Sequence, residues 1–120
     1  MSYLQKAKDL YQMVGHGQLL DAFEKYYHED VVMIEATGAA RNGKAENREY
    51  EKQFLASVSQ MHDGGVSAIT SNEETGVTMV ESWMDISFKD GNRFKMEEVA
   101  VQTWKDDLII RERFYYNMGG

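Results

Sequence analysis

The feature that most constrains this chain is a change of period at Gly64-Gly65. Before that pair, apolar residues recur every three or four positions, the spacing of one helix face. After it they alternate, the spacing of one strand face. A chain that is helical in its first half and extended in its second predicts an α+β fold, with helices covering one side of an antiparallel sheet.

The helical half resolves into three elements. Ser2-Tyr3-Leu4-Gln5 reads as a capping box, in which Ser2 and Gln5 satisfy each other's backbone N–H groups. Leu4, Ala7, Tyr11 and Val14 then form one apolar stripe that ends at Gly15-His16-Gly17. A second helix carries Leu20, Phe23 and Tyr27 on one face and stops near His28-Glu29-Asp30. A short β-branched strand at 31–35 follows, then a turn at Asn42-Gly43 and a third helix over about 44–59. The buried face of that helix is predicted to be Tyr50, Phe54, Val58 and Met61.

The extended half holds a weak strand at 66–71 and two long strands at 77–88 and 93–104. Asp90-Gly91, a hairpin turn signal, joins the long pair. Lys105-Asp106-Asp107 turns the chain into a last strand over 108–117. The whole of 1–120 reads as one domain, a size at which roughly two-thirds of the unfolded surface is buried.

Composition closes off several kinds of function. No cysteine is present, which excludes disulfides, thiolate metal ligands and cysteine nucleophiles. A formal net charge of −7 without any lysine or arginine cluster opposes nucleic acid and anionic lipid. The longest aliphatic run, 31–34, is far short of a membrane span, and residues 1–6 lack the apolar stretch of a secretory signal; a cytoplasmic protein is expected. His16, His28 and His62 stand in turns, far apart and outside any ligand spacing, so no metal site is expected. Gly15-His16-Gly17 has no strand before it and is a helix–helix turn rather than a phosphate loop, and no Ser/His/Asp spacing suggests a triad.

Three segments carry a resemblance. They are Tyr26-Tyr27-His28-Glu29-Asp30-Val31 with Glu35 after it, Arg41-Asn42-Gly43-Lys44-Ala45, and the terminal run from Asp106-Asp107-Leu108 to Tyr115-Tyr116-Asn117. In this order and spacing the chain resembles the nuclear-transport-factor-2-like superfamily, and within it the SnoaL-like polyketide cyclases and ketosteroid isomerases. The resemblance implies a cone with a single mouth, enclosed by the helices and a strongly curved sheet. It places Tyr11 where the isomerases keep an oxyanion-hole tyrosine and Glu35 where they keep the proton-shuttling carboxylate. Ala100 falls where they keep a second donor, a protonated carboxylic acid. Losing one oxyanion donor costs roughly 3–4 kcal/mol of barrier.

The same register turns Glu81, Trp83, Asp85, Glu98, Ala100, Gln102, Glu112, Phe114 and Tyr116 toward the pocket, with Phe23, Tyr27, Tyr50 and Phe54 from the helical half. Val80, Met84, Ile86, Val99 and Val101 are then outward, an apolar surface that suggests a homodimer through the outer sheet face. A slip of one residue in either long strand would exchange the two faces.

Two readings of the chemistry stand side by side. Glu35, at the end of an apolar strand near Tyr11 and Tyr50, is a general base with a raised pKa, or a strand-end glutamate that emerges into solvent or pairs with Arg41. Glu81, Asp85, Glu98 and Glu112 cannot all ionise inside one cavity. Glu98 or Glu112, held neutral, then supplies the donor missing at Ala100, or the cavity takes a cationic or polyhydroxylated ligand, or a slipped register puts several of them outside. The resemblance implies a small-molecule-binding protein with cofactor-independent acid–base chemistry beside a carbonyl: isomerisation, cyclisation or dehydration. The alternative is a non-catalytic dimeric ligand-binding module.

Overall fold

The structure is a computed structural model that describes residues 1–117. Helix α1 (Tyr3–Gly15) starts at the capping box, with Gln5 N donating to Ser2 Oγ at 3.1 Å and Ser2 N to Gln5 Oε1 at 2.9 Å. Two further N–H groups of its first turn, on Tyr3 and Leu4, donate to the Glu73 carboxylate, which pins the helix to the sheet. Helix α2 (Leu19–Tyr26) folds back against α1.

Strand β1 (Tyr27–Ile34) begins four residues before the sequence reading placed it. Tyr27 is already extended, pairs with Ile109, stacks on Phe23 at 4.8 Å and sends its hydroxyl into the interior. Strand β2 (Ala40–Asn42), which the sequence reading missed, pairs with β1 so that Arg41 lies opposite Met33. Helix α3 (Lys44–Ser57) follows Gly43, whose φ of +88° a side-chain-bearing residue rarely adopts.

Strand β3 (Val58–Asn72) is far longer than the predicted 66–71. Val58 and Met61, assigned to the third helix, belong to this strand, and its pairing with β4 holds them there. The meander is β4 (Val77–Phe88), β5 (Arg93–Lys105) and β6 (Leu108–Tyr115), close to the predicted bounds. The six strands run β2-β1-β6-β5-β4-β3, antiparallel except for the β1–β6 pair. Ala7, Leu10, Ala22, Phe23 and Tyr26 of the helices pack on Val31, Met33, Trp104 and Ile109 to form the core.

One register prediction is reversed. A two-residue turn at Asp90-Gly91 would pair Lys89 with Asn92 and put Glu81, Trp83 and Asp85 on the face of Glu98 and Ala100. Instead Phe88 N donates to Asn92 O and Gly91 N to Phe88 O, closing a three-residue loop with Gly91 at φ +95°. That one extra residue exchanges the faces of β4. Val80 lies opposite Ala100 and Ser82 opposite Glu98, so Val80, Ser82, Met84 and Ile86 face inward. Val80 and Ile86 are fully buried, whereas Glu81 is exposed and Asp85 holds Arg93 in a two-pronged ion pair on the outer side. Of the apolar residues expected outside, only Val99 and Val101 are there.

Candidate functional site

A cavity of about 1240 Å³ lies between the helices and the concave face of the sheet. Phe23, Tyr27, Phe54 and Phe114 supply apolar wall, and Tyr11, Tyr50 and Tyr116 add hydroxyls. The cavity extends past Gly64-Gly65, where Trp83 borders its rim. A Cβ on Gly65 would stand 3.1 Å from Trp83 Nε1, so glycine is what lets the indole lie across the edge strand. Lys95 sits over the other side of that ring, 5.0 Å from its centroid.

Besides the exposed Asp63 and Glu97, four carboxylates line the cavity: Glu35 after β1, Glu51 from α3, Glu98 from β5 and Glu112 from β6. Their surroundings differ sharply. Glu35 pairs with Arg41 Nη1 at 2.7 Å and accepts from the Tyr116 hydroxyl at 2.9 Å. The pairing with Arg41, one of its two sequence readings, is therefore formed. Arg41 is itself fully engaged. Its Nε donates to Asn47 Oδ1 at 3.1 Å, and its guanidinium lies 3.5 Å over the Tyr50 ring. Asn47, completely buried, donates back to the carbonyls of Gly43 and Arg41, so the Arg41-Asn42-Gly43 turn and the first turn of α3 form one clamp.

Glu112 accepts from Tyr27 at 2.6 Å and from Gln102 Nε2 at 2.7 Å. Burial pushes its carboxyl up to about 7, although these two donors act in the opposite sense. Glu51 and Glu98 have neither a hydrogen bond nor an ion pair among the described residues. Burial first, and then the neighbouring carboxylates, push each of them up to about 7 as well. Tyr11 accepts from Gln102 Nε2 at 3.3 Å, with Ser82 beside it. Burial, and then the charges of Glu112 and Glu98, hold its hydroxyl well above the usual phenol range, so it keeps its proton.

The structure thus gathers Tyr11, Phe23, Tyr27, Glu35, Tyr50, Phe54, Glu98, Glu112, Phe114 and Tyr116 around one space. Ala100 and Gln102 face the same way but are fully buried behind the wall. Glu81 and Asp85 do not belong to it. Sequence reasoning missed Glu51 and Ser82. Glu51 could have been found, because it stands four residues after the buried Asn47 and three before Phe54, on the covered side of α3. Among the described residues no group of histidines and carboxylates is arranged to hold a metal ion, and no helix is long and apolar enough to cross a membrane.

The family model of the SnoaL-like domain matches residues 1–116. The chain belongs to that family. Among solved structures, this SnoaL-like chain is similar to a Mesorhizobium loti protein described as a SnoaL-like polyketide cyclase. The two are 28% identical, with a TM-score of 0.84 over 97% of this chain and 100% of that one. A Pseudomonas putida protein described as a polyketide cyclase superposes with a TM-score of 0.83 at 15% identity, over 98% and 93% of the two chains. TerC, co-crystallised with polyporic acid, gives 0.75 at 12% identity over 96% and 91%. No curated protein sequence matches the chain.

Proposed function

We propose that the cavity binds a small, partly apolar organic molecule and performs cofactor-independent acid–base chemistry beside a carbonyl, with Glu98 as base and Tyr11 as donor to the oxygen. The observation that carries this reading is Glu98, a cavity carboxylate with no hydrogen-bond or ion-pair partner among the described residues and a pKa raised to about 7. A base serves best when its pKa lies near the working pH. Glu35 would have to leave a guanidinium and a phenol before taking a proton, so its part is to hold Arg41 and Tyr116 in place.

Glu98 takes the proton from the carbon next to the carbonyl, and the electron pair moves onto oxygen. Tyr11 donates a hydrogen bond to that oxygen, where negative charge develops. The proton on Glu98 then returns at a different carbon, which is isomerisation, or the enolate carbon attacks a second carbonyl, whose π pair moves onto its oxygen and takes the proton from Glu98, which is cyclisation. With only Ala100 at the place of a second donor, the enolate relies on Tyr11 and on a neighbouring protonated carboxyl. The likeness to TerC supports the small-molecule part of this reading.

An enone isomerisation followed by ultraviolet absorbance tests it. Glu98→Gln lowers kcat/KM by about 100-fold or more. The wild-type rate rises with pH as the base ionises and falls again above about 7, where the neighbouring carboxyls that serve as donors lose their protons. Equal rates for wild type and Glu98→Gln would remove Glu98 from the role, and a loss confined to Glu35→Gln would give the role to Glu35. A wild type that binds the enone without turning it over points to the non-catalytic module.

The outer sheet face supports a homodimer, with Met79 and Tyr115 joining the expected Val99 and Val101. Met79 and Tyr115 are about half exposed and lie beside Val101 and Val99 in register. Arg113, on the same face, lies 5.3 Å from the Tyr115 ring, and its Nε is buried without a hydrogen-bond partner among the described residues. Sedimentation equilibrium at micromolar concentration gives twice the chain mass if this face is the interface, and the chain mass if it is not.

A further inference from the structure

Behind the cavity wall runs a chain of buried hydrogen bonds whose direction is set at its far end. Trp104 Nε1 donates to Thr78 Oγ1 at 2.8 Å, and Thr78 Oγ1 donates to Gln102 Oε1 at 2.6 Å. Gln102 Nε2 then serves Glu112 Oε2 at 2.7 Å and the Tyr11 hydroxyl at 3.3 Å. Thr78 and Gln102 are fully buried and Trp104 nearly so, which keeps water from competing for these bonds.

The indole N–H can only donate. The Thr78 oxygen must therefore accept, and its single proton has to go to the Gln102 carbonyl oxygen. That orients the carboxamide. Both of its N–H bonds point toward the cavity side, one to Glu112 and one to Tyr11. A flipped amide would set its carbonyl oxygen against the Glu112 carboxylate and leave the Thr78 proton without an acceptor. A buried polar group left unsatisfied pays its full desolvation cost with nothing in return. The Tyr11 oxygen thus accepts from behind, and its own proton is left for the cavity side, where the Ser82 hydroxyl is its neighbour.

We propose that Trp104, Thr78 and Gln102 are positioning residues that make Tyr11 a one-way hydrogen-bond donor, so that the cavity selects ligands presenting an acceptor oxygen, a ketone or enolate, at Tyr11 over ligands presenting a hydroxyl there. The inference deepens the acid–base reading and rests on it for the identity of the site. The relay differs from an ordinary structural network in that it ends on a hydroxyl that lines the cavity.

Acetophenone and 1-phenylethanol, alike in size and differing in whether the oxygen carries a proton, are the probes. Wild type binds the ketone about tenfold more tightly than the alcohol, a difference of about 1.4 kcal/mol. Tyr11→Phe abolishes the preference. Thr78→Val and Trp104→Phe reduce it by severalfold, and Thr78→Ser, which keeps the hydroxyl, retains it. A folded Thr78→Val protein with the full wild-type preference overturns the proposal. The 1H–15N signals of the Gln102 side chain give a readout that needs no ligand. Its two amide protons are separately resolved and slow to exchange in wild type, and both properties are lost in Thr78→Val and Trp104→Phe. Unchanged amide signals in both variants overturn the proposal even if neither probe binds. Because no turnover is measured, ketone preference without isomerase activity sinks the acid–base reading and leaves the relay standing.

Discussion

At the scale of single residues, the site is defined by which polar atoms are already committed. Four cavity glutamates look alike in the sequence, yet Glu35 is held by Arg41 and Tyr116, Glu112 by Tyr27 and Gln102, and Glu51 and Glu98 by neither hydrogen bond nor ion pair among the described residues. Asn47 illustrates how much one buried amide can organise. It accepts from Arg41 and donates to the backbone carbonyls of Gly43, Arg41 and, at 3.5 Å, Val31, so it fixes both the start of α3 and the guanidinium facing Glu35. Asn47→Ala strands those groups in a site without water access, and a loss of about 1–3 kcal/mol is expected in urea denaturation. A change below about 0.5 kcal/mol would show that the clamp carries no weight. Nothing local to Asn47 announces this role, because a polar residue in the first turn of a helix is ordinary.

At the scale of elements, the legible features were those set within a few residues. The capping box of α1, the bounds of β4 to β6 and the inward positions on β5 and β6 follow from patterns short enough to read along the chain. The inward face of β4 was not legible, because Asp90-Gly91 suits either a two- or a three-residue loop and the choice exchanges the two faces. The observed loop puts Glu81 and Asp85 outside. Glu81→Gln and Asp85→Asn therefore leave ligand binding and the pH–rate profile unchanged. A shifted profile in either variant, measured beside Glu98→Gln, would contradict the β4 register.

At the scale of the whole molecule, the cavity gathers like charge from four elements, and folding must accommodate it. A free glutamate titrates near 4.5, whereas Glu51, Glu98 and Glu112 hold their protons in the fold up to about 7. Between those values the folded state binds more protons than the unfolded one, so stability falls as pH rises through this window and levels off above it. Each carboxyl contributes at most about 3 kcal/mol, because every tenfold gain in proton affinity on folding is worth about 1.4 kcal/mol. Chemical denaturation from pH 5 to pH 8 should show the decline. Glu51→Gln and Glu98→Gln should each flatten it and raise stability at pH 8. A stability that rises over this range would mean that the cavity carboxylates are not the dominant titrating groups. The base proposed for catalysis is thus also a destabilising group at the pH where it works.

The sequence by itself determined the order of the helices and of every strand but β2, the α+β class and the family resemblance. Caps, turns and hydrophobic period are short-range properties that each segment carries wherever it packs. Tertiary structure alone decided which face of β4 lines the cavity, that Glu51 and Ser82 belong to it, and which two carboxylates are left without a hydrogen bond or ion pair among the described residues. Those outcomes depend on loop closure and on pairings between residues as far apart as Glu35 and Tyr116, or Tyr11 and Gln102. One residue more in a hairpin reverses a strand, and one arginine reaching across a turn changes what a glutamate can do.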